Sequence, residues 1–135
     1  MRRTKQILML MLLGWIDAAG ASAQPCQANG VALQILGSNG PRLKTNGASA
    51  SASYLIWANG RSRVLVDAGG GAFLRFAEAG GRFDDLALIA ISHLHPDHVS
   101  DLPALLWGDF VRKSPLPIAG PSGNADAPDF RTFLQ

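Results

Sequence analysis

Short apolar stretches alternate with glycine-rich and charged breaks along this 135-residue chain. Val31-Ala32-Leu33-Gln34-Ile35-Leu36 joins aliphatic and β-branched residues without Pro or Gly and predicts a strand, closed by the turn residues Gly37-Ser38-Asn39-Gly40-Pro41. Residues Arg42 to Ser53 are small and polar and predict a surface loop that adds little to a core. Tyr54-Leu55-Ile56-Trp57 and Arg63-Val64-Leu65-Val66 flank Asn59-Gly60, the pair favoured where both central turn residues need positive φ, and predict a β-hairpin. Asp67-Ala68-Gly69-Gly70-Gly71 then predicts a sharp turn of close backbone approach. Over Ala72 to Ala79, Phe73, Phe76 and Ala77 share a helical face at i, i+3, i+4, and Gly80-Gly81 ends the helix. The wholly apolar run Leu86–Ile91, set off by Asp84-Asp85, predicts a buried strand. Asp101 stands where it can cap a helix through Trp107, with Pro103 in the first turn and Leu102, Leu105 and Leu106 as its apolar face. Leu116–Gly120 predicts a strand at a sheet edge, where Pro117 is tolerated, and Phe130–Leu134 a last helical turn. Strand, hairpin, helix, strand, helix, strand, helix is the order of an α/β layered fold.

The first 23 residues follow another logic. Arg2, Arg3 and Lys5 precede the apolar run Ile7 to Ile16, which is shorter than the roughly 20 residues needed to span a bilayer. Ala21-Ser22-Ala23 then places small residues at −3 and −1 before Gln24, so 1–23 reads as a secretory signal peptide and 24–135 as the mature chain. The expected location is periplasmic or secreted, with no stable membrane anchor after the signal is removed. Cys26 lacks the aliphatic and small neighbours of a lipid-attachment site. As the single cysteine it forms no internal disulfide.

Charge follows from the same division. The whole chain carries 12 basic and 10 acidic residues; losing Arg2, Arg3, Lys5 and Asp17 with the leader leaves nine of each. An electrically balanced body lacks the broad positive field that tracks phosphate backbones, so the expected partner is a small molecule and no nucleic acid is expected. An apolar fraction of 47% and a charged fraction of 16% describe a folded chain of one domain at most.

The candidate chemistry is concentrated in Ser92-His93-Leu94-His95-Pro96-Asp97-His98, which holds all 3 histidines of the chain. In an extended segment His93 and His95 point to one side and Leu94 to the other, toward the core. Two imidazoles on one side can take two positions on a divalent ion. Pro96 bends the path, so that Asp97 and His98 can face a neighbouring site. Imidazole with carboxylate suits Zn, Mn or Fe at a hydrolytic centre.

His93-Leu94-His95-Pro96-Asp97-His98 resembles the H-x-H-x-D-H signature of the metallo-β-lactamase-fold hydrolases. Leu36–Pro41, Ser51–Ile56, the Val64–Gly71 strand and turn, and Leu102–Leu106 resemble segments of the branch holding tRNase Z-like and arylsulfatase-like enzymes. The resemblance covers about residues 31 to 123. It implies an αββα sandwich of which this chain holds about the first half, and two zinc ions in the complete fold. It also implies that His93 and His95 ligate the first ion and Asp97 and His98 the second, with Asp97 orienting or deprotonating the attacking water. Asp67 would stand behind the ligands and hold their loop by hydrogen bonds; a plain turn-capping carboxylate is the alternative. The remaining ligands of the family come from later in its fold, and no histidine follows His98. The chain therefore reads as the N-terminal portion of an exported metal-dependent ester hydrolase acting on a phosphodiester or sulfate ester. The competing functions are a non-catalytic metal-binding fragment and a β-lactam hydrolase.

Overall fold

The computed structural model describes residues 29–41, 49–108, 112 and 114–135. The leader, Cys26 and residues 42–48 of the expected loop lie outside the described residues.

Among the described residues five strands form one mixed sheet in the order β1 (Val31–Gly37), β2 (Ser53–Ala58), β3 (Arg61–Val66), β4 (Leu88–Ala90), β5 (Ile118–Ala119). The first three pair antiparallel; β4 and β5 add in parallel. The Asn59-Gly60 turn closes the hairpin with φ of 51° and 73°, as its type I′ chemistry requires. Asn59 also ties back to the start of β1: its N–H donates to the Gly30 carbonyl at 2.8 Å, and its Oδ1 accepts the Gly30 N–H at 3.1 Å. β5 is the far edge strand, where Pro117 costs no ladder hydrogen bond; its carbonyl accepts from Ile89 N–H at 3.0 Å.

The two faces of the sheet differ. Leu55, Trp57, Leu65 and Ile89 lie on one face and are buried with Phe76, Leu102, Leu105 and Phe130 from the helices. Burying a side chain of this size stabilises by roughly 1.5–3 kcal/mol, so this cluster is the main attractive term of the fold. On the other face run Leu33, Ile56, Val64 and Leu88 in one row of paired residues and Ile35, Tyr54, Val66 and Ala90 in the next. Val31, Leu33 and Ile35 there are exposed, Leu33 at 63%. The sheet is thus apolar on both faces, and among the described residues only one face is packed into the core. That is the pattern of one half of a sandwich.

Helix α1 (Ala72–Glu78) buries Ala72 and Phe76, with Ala79 just beyond its end. This corrects the expected face: Phe73 is 40% exposed and Ala77 lies outside the core. The small residues sit under the helix because they let its backbone approach the sheet closely, while Phe73 lies beside Phe83 with ring centroids 6.4 Å apart. The helix ends as Gly80-Gly81 predicts, with Gly81 N–H donating to the Phe76 carbonyl and Gly80 N–H to that of Ala77.

Three further expectations change. Residues 50–53 are not surface loop: Ala50, Ala52 and Ser53 are buried, and Ser53 begins β2. The apolar run Leu86–Ile91 yields a strand of only three residues, preceded by a 3-10 turn at Phe83–Asp85, although Leu86, Ile89 and Ile91 are all buried. Pro96–Val99 forms a helical turn, α2, before α3 (Leu102–Gly108); a last helix, α4, spans Phe130–Phe133. Among the described residues no helix is long and apolar enough to cross a membrane.

Candidate metal centre

Strand β4 ends at Ala90, and the chain leaves it as the extended segment that carries His93 and His95. Leu94 packs against the core cluster, which turns the flanking imidazoles outward together. The His93 and His95 rings meet edge to face with centroids 4.6 Å apart. His95 precedes α2 and Pro96 is its first residue, where the missing N–H of proline is harmless. The helical turn brings His98 back over His93, with ring centroids at 3.9 Å. It also puts His98 Nε2 3.5 Å from Asp97 Oδ2. The four candidate ligands thus lie on one short stretch of chain and are neighbours in pairs, His95 beside His93, His93 beside His98 and His98 beside Asp97.

Asp67 anchors that loop from below. Its side chain is 4% exposed, at the end of β3, and its backbone adopts φ of 60°. Its Oδ1 accepts the Ser92 N–H at 2.8 Å, and its Oδ2 accepts the Ser92 hydroxyl at 2.9 Å. The same Oδ2 lies 2.8 Å from His98 Nδ1. A carboxylate only accepts, so His98 carries a proton on Nδ1, and in a neutral ring Nε2 is then the nitrogen with the lone pair. Asp67 thus touches the metal loop directly, besides occupying its turn.

Backbone contacts hold the two loops together. Ala68 N–H donates to the His98 carbonyl at 2.7 Å, and Asp101 N–H to the Ala68 carbonyl at 2.8 Å. Gly69 sits so close that a Cβ there would collide with the Asp97 carbonyl oxygen and fall 2.7 Å from Ser51 Cβ and 2.9 Å from the Ala52 oxygen. Only glycine admits this contact. From the other side, Gly40 of the turn after β1 comes near Asp97: a Cβ on it would lie 3.9 Å from Asp97 Oδ2.

The donor set fits a divalent cation in its chemistry: three imidazoles, one positioned by a carboxylate, and a second carboxylate adjacent. The set is open. Among the described residues no three His, Cys, Asp or Glu side chains close into a group that could hold an ion. His93, His95, Asp97 and His98 remain the candidate ligands.

Two residues beyond the sequence-derived set bear on the site. Ser92 bonds Asp67 and also lies 3.0 Å from His93 Nδ1. A serine immediately before the first motif histidine was the available signal. The Asp101 side chain accepts N–H groups from Gly71 and Phe73. That contact joins positions 30 apart and has no local signature.

The chain is similar to several known proteins. Residues 46–107 match the family model of the metallo-β-lactamase superfamily. A ribonuclease Z from Mycobacterium sp. (strain KMS) is 37% identical over 100 residues, which are 71% of this chain and 34% of that protein. The metallo-β-lactamase fold protein YhfI from Bacillus subtilis superposes with a TM-score of 0.62 at 24% identity, covering 73% of this chain and 39% of that one. Human tRNase Z, short form, superposes with a TM-score of 0.61 at 24% identity, covering 76% of this chain and 36% of that one. The chain thus spans a little over a third of the length of these proteins.

These matches correct the expectation that nucleic acid is excluded as a partner, because the similar proteins are a ribonuclease and a tRNase by name. That expectation rested on the balanced charge of the mature body. Net charge governs long-range attraction, whereas at a metal site the ion itself is often the largest local charge and can attract a phosphate that the protein surface does not. Its fold, its loop of neighbouring histidines and these matches together place the chain in the metallo-β-lactamase superfamily, on the tRNase Z-like side and over the N-terminal portion of the fold.

Proposed function

We propose that the His93–His98 loop is one part of a metal-dependent centre for hydrolysis of phosphodiester bonds, with RNA as the leading substrate class. One observation carries this reading: after β4, His95 lies beside His93, His93 beside His98 and His98 beside Asp97, with His98 Nδ1 against Asp67. The ribonuclease Z relative supports a phosphodiester over a sulfate ester or a β-lactam.

In this reading His93 and His95 hold one divalent ion, and Asp97 and His98 a second. Zinc suits the imidazole-rich set best, and Mn or Fe is compatible with it. When bound, such ions polarise a phosphoryl oxygen and lower the pKa of a water molecule. Asp97 orients the attacking water or takes its proton. Asp67 keeps the His98 ring from rotating away.

The openness of the donor set favours one second reading, metal binding without turnover. Assay of the zinc- or manganese-loaded chain on a short RNA and on bis-p-nitrophenyl phosphate separates the two, with an aryl sulfate and nitrocefin as comparison substrates. Turnover of the phosphodiesters that disappears in His95→Ala supports the hydrolase. Metal uptake with no turnover supports the second reading instead.

Residues 1–23 are proposed to direct export. N-terminal sequencing of the chain from a secreting host should start at Gln24; a product that retains Met1 overturns this.

A further inference from the structure

Ser92 has one hydroxyl proton and three neighbours. Its Oγ lies 2.9 Å from Asp67 Oδ2, 3.0 Å from His93 Nδ1 and 3.4 Å from His98 Nδ1. Asp67, as a carboxylate, offers no proton, so the serine must donate there. That leaves Ser92 Oγ only its lone pairs for His93. The 3.0 Å contact is then a hydrogen bond in which His93 Nδ1–H donates to the serine.

We infer that Ser92 is a positioning residue that passes the acceptor character of Asp67 on to His93, fixing that ring with its proton on Nδ1 and its Nε2 bare. One buried carboxylate then sets two histidines at once: His98 directly at 2.8 Å, and His93 through a single hydroxyl. The Ser92 N–H bond to Asp67 Oδ1 at 2.8 Å holds the serine in place, so its hydroxyl stays between the two groups. Both rings are thereby prepared, before any ion arrives, to present the nitrogen that would meet it. Groups behind metal ligands act in this way generally, and their loss costs about 10–100-fold in affinity. The inference rests on the metal-centre reading only for its consequence; the proton arrangement is a property of the chain by itself.

The test is ¹⁵N NMR of the histidine rings in the full metal-free chain, recorded for wild type and variants at one mildly alkaline pH. In the wild type His93 should show a protonated Nδ1 and a bare Nε2. Ser92→Ala should shift His93 toward the Nε2–H form, and Ser92→Thr, which keeps the hydroxyl, should restore the wild-type signature. Should Ser92→Ala not fold, Asp67→Asn reads the same relay, because weakening the acceptor frees the serine to donate to His93; both His93 and His98 should then change. A His93 signature unmoved by Ser92→Ala, or a change at His98 alone in Asp67→Asn, overturns the relay. Zinc affinity by chelator competition reads the consequence, with a loss of about 10-fold expected for Ser92→Ala and recovery in Ser92→Thr. If the tautomer shifts while zinc affinity is unchanged even in His93→Ala, the relay stands and the metal-centre reading fails.

Discussion

The carboxylate of Asp101 accepts the Gly71 N–H at 2.9 Å, and the same oxygen accepts the Phe73 N–H at 3.0 Å. A residue at the start of α3 therefore caps α1. Its backbone carbonyl meanwhile accepts the first helical bond of its own helix, from Leu105 N–H at 3.0 Å. The two helices and the Asp67–Gly71 turn are joined at one side chain.

Removal of that side chain should loosen all three. A lost N-cap costs about 1 kcal/mol. For a domain of this size that corresponds to a fall in Tm of about 4 °C. Asp101→Ala is expected to show this in urea and thermal unfolding, and Asp101→Asn, which keeps an acceptor oxygen, to show less. An unchanged midpoint in Asp101→Ala would remove the capping role.

Gly69 and Gly70 make a paired comparison. A methyl at Gly69 meets backbone on two sides, including the Asp97 carbonyl, whereas at Gly70 the nearest atoms are Ser100 Oγ at 3.4 Å and Ser51 Oγ at 3.8 Å. Gly69→Ala should destabilise by about 1–3 kcal/mol. It should also weaken zinc binding by displacing Asp97. Gly70→Ala should leave both nearly as they were. Denaturant unfolding and chelator competition on the two variants check this, and equal behaviour would contradict it.

Asp129 caps α4 and gives a pH dependence. The Thr132 N–H bonded to Asp129 Oδ1 at 2.8 Å holds the carboxyl below its ordinary value of 3.8. A carboxyl with a lowered folded-state pKa stabilises the fold above its unfolded value, and this is lost as pH falls through the folded one. An NMR titration of Asp129 should give a midpoint below 3.8. Asp129→Asn should remove its share of the acid-side stability change. A midpoint at or above the ordinary value would show that the cap does not favour the charged form.

Local chemistry was the legible part of this fold. Asn59-Gly60 fixes the hairpin because only a few residue types tolerate positive φ twice in succession, and Gly80-Gly81 ends α1 for a related reason. The histidine motif was visible because His93, His95, Asp97 and His98 lie within six positions of one another. What could not be read were contacts between distant positions. The face of α1 was assigned to its large residues, yet Ala72 and Ala79 are buried because small side chains let that helix approach the sheet. Asp101 lies next to its own helix in sequence but bonds amides 28 and 30 residues away. Ala50, Ala52 and Ser53 resemble loop in composition, and are buried because small residues fit beside the Gly69–Gly71 turn.

The backbone of Asp67, at φ of 60°, narrows the choice of residue there before any chemistry is considered. A left-handed conformation is comfortable for glycine and tolerated by asparagine and aspartate, and it penalises longer side chains such as glutamate. Of those three, glycine has no acceptor. Asparagine offers one oxygen where Asp67 accepts from Ser92 and His98 with two. Aspartate alone satisfies both the turn and the hydrogen bonds. An engineer who wished to retune the centre by lengthening this side chain would meet a folding problem before an enzymatic one.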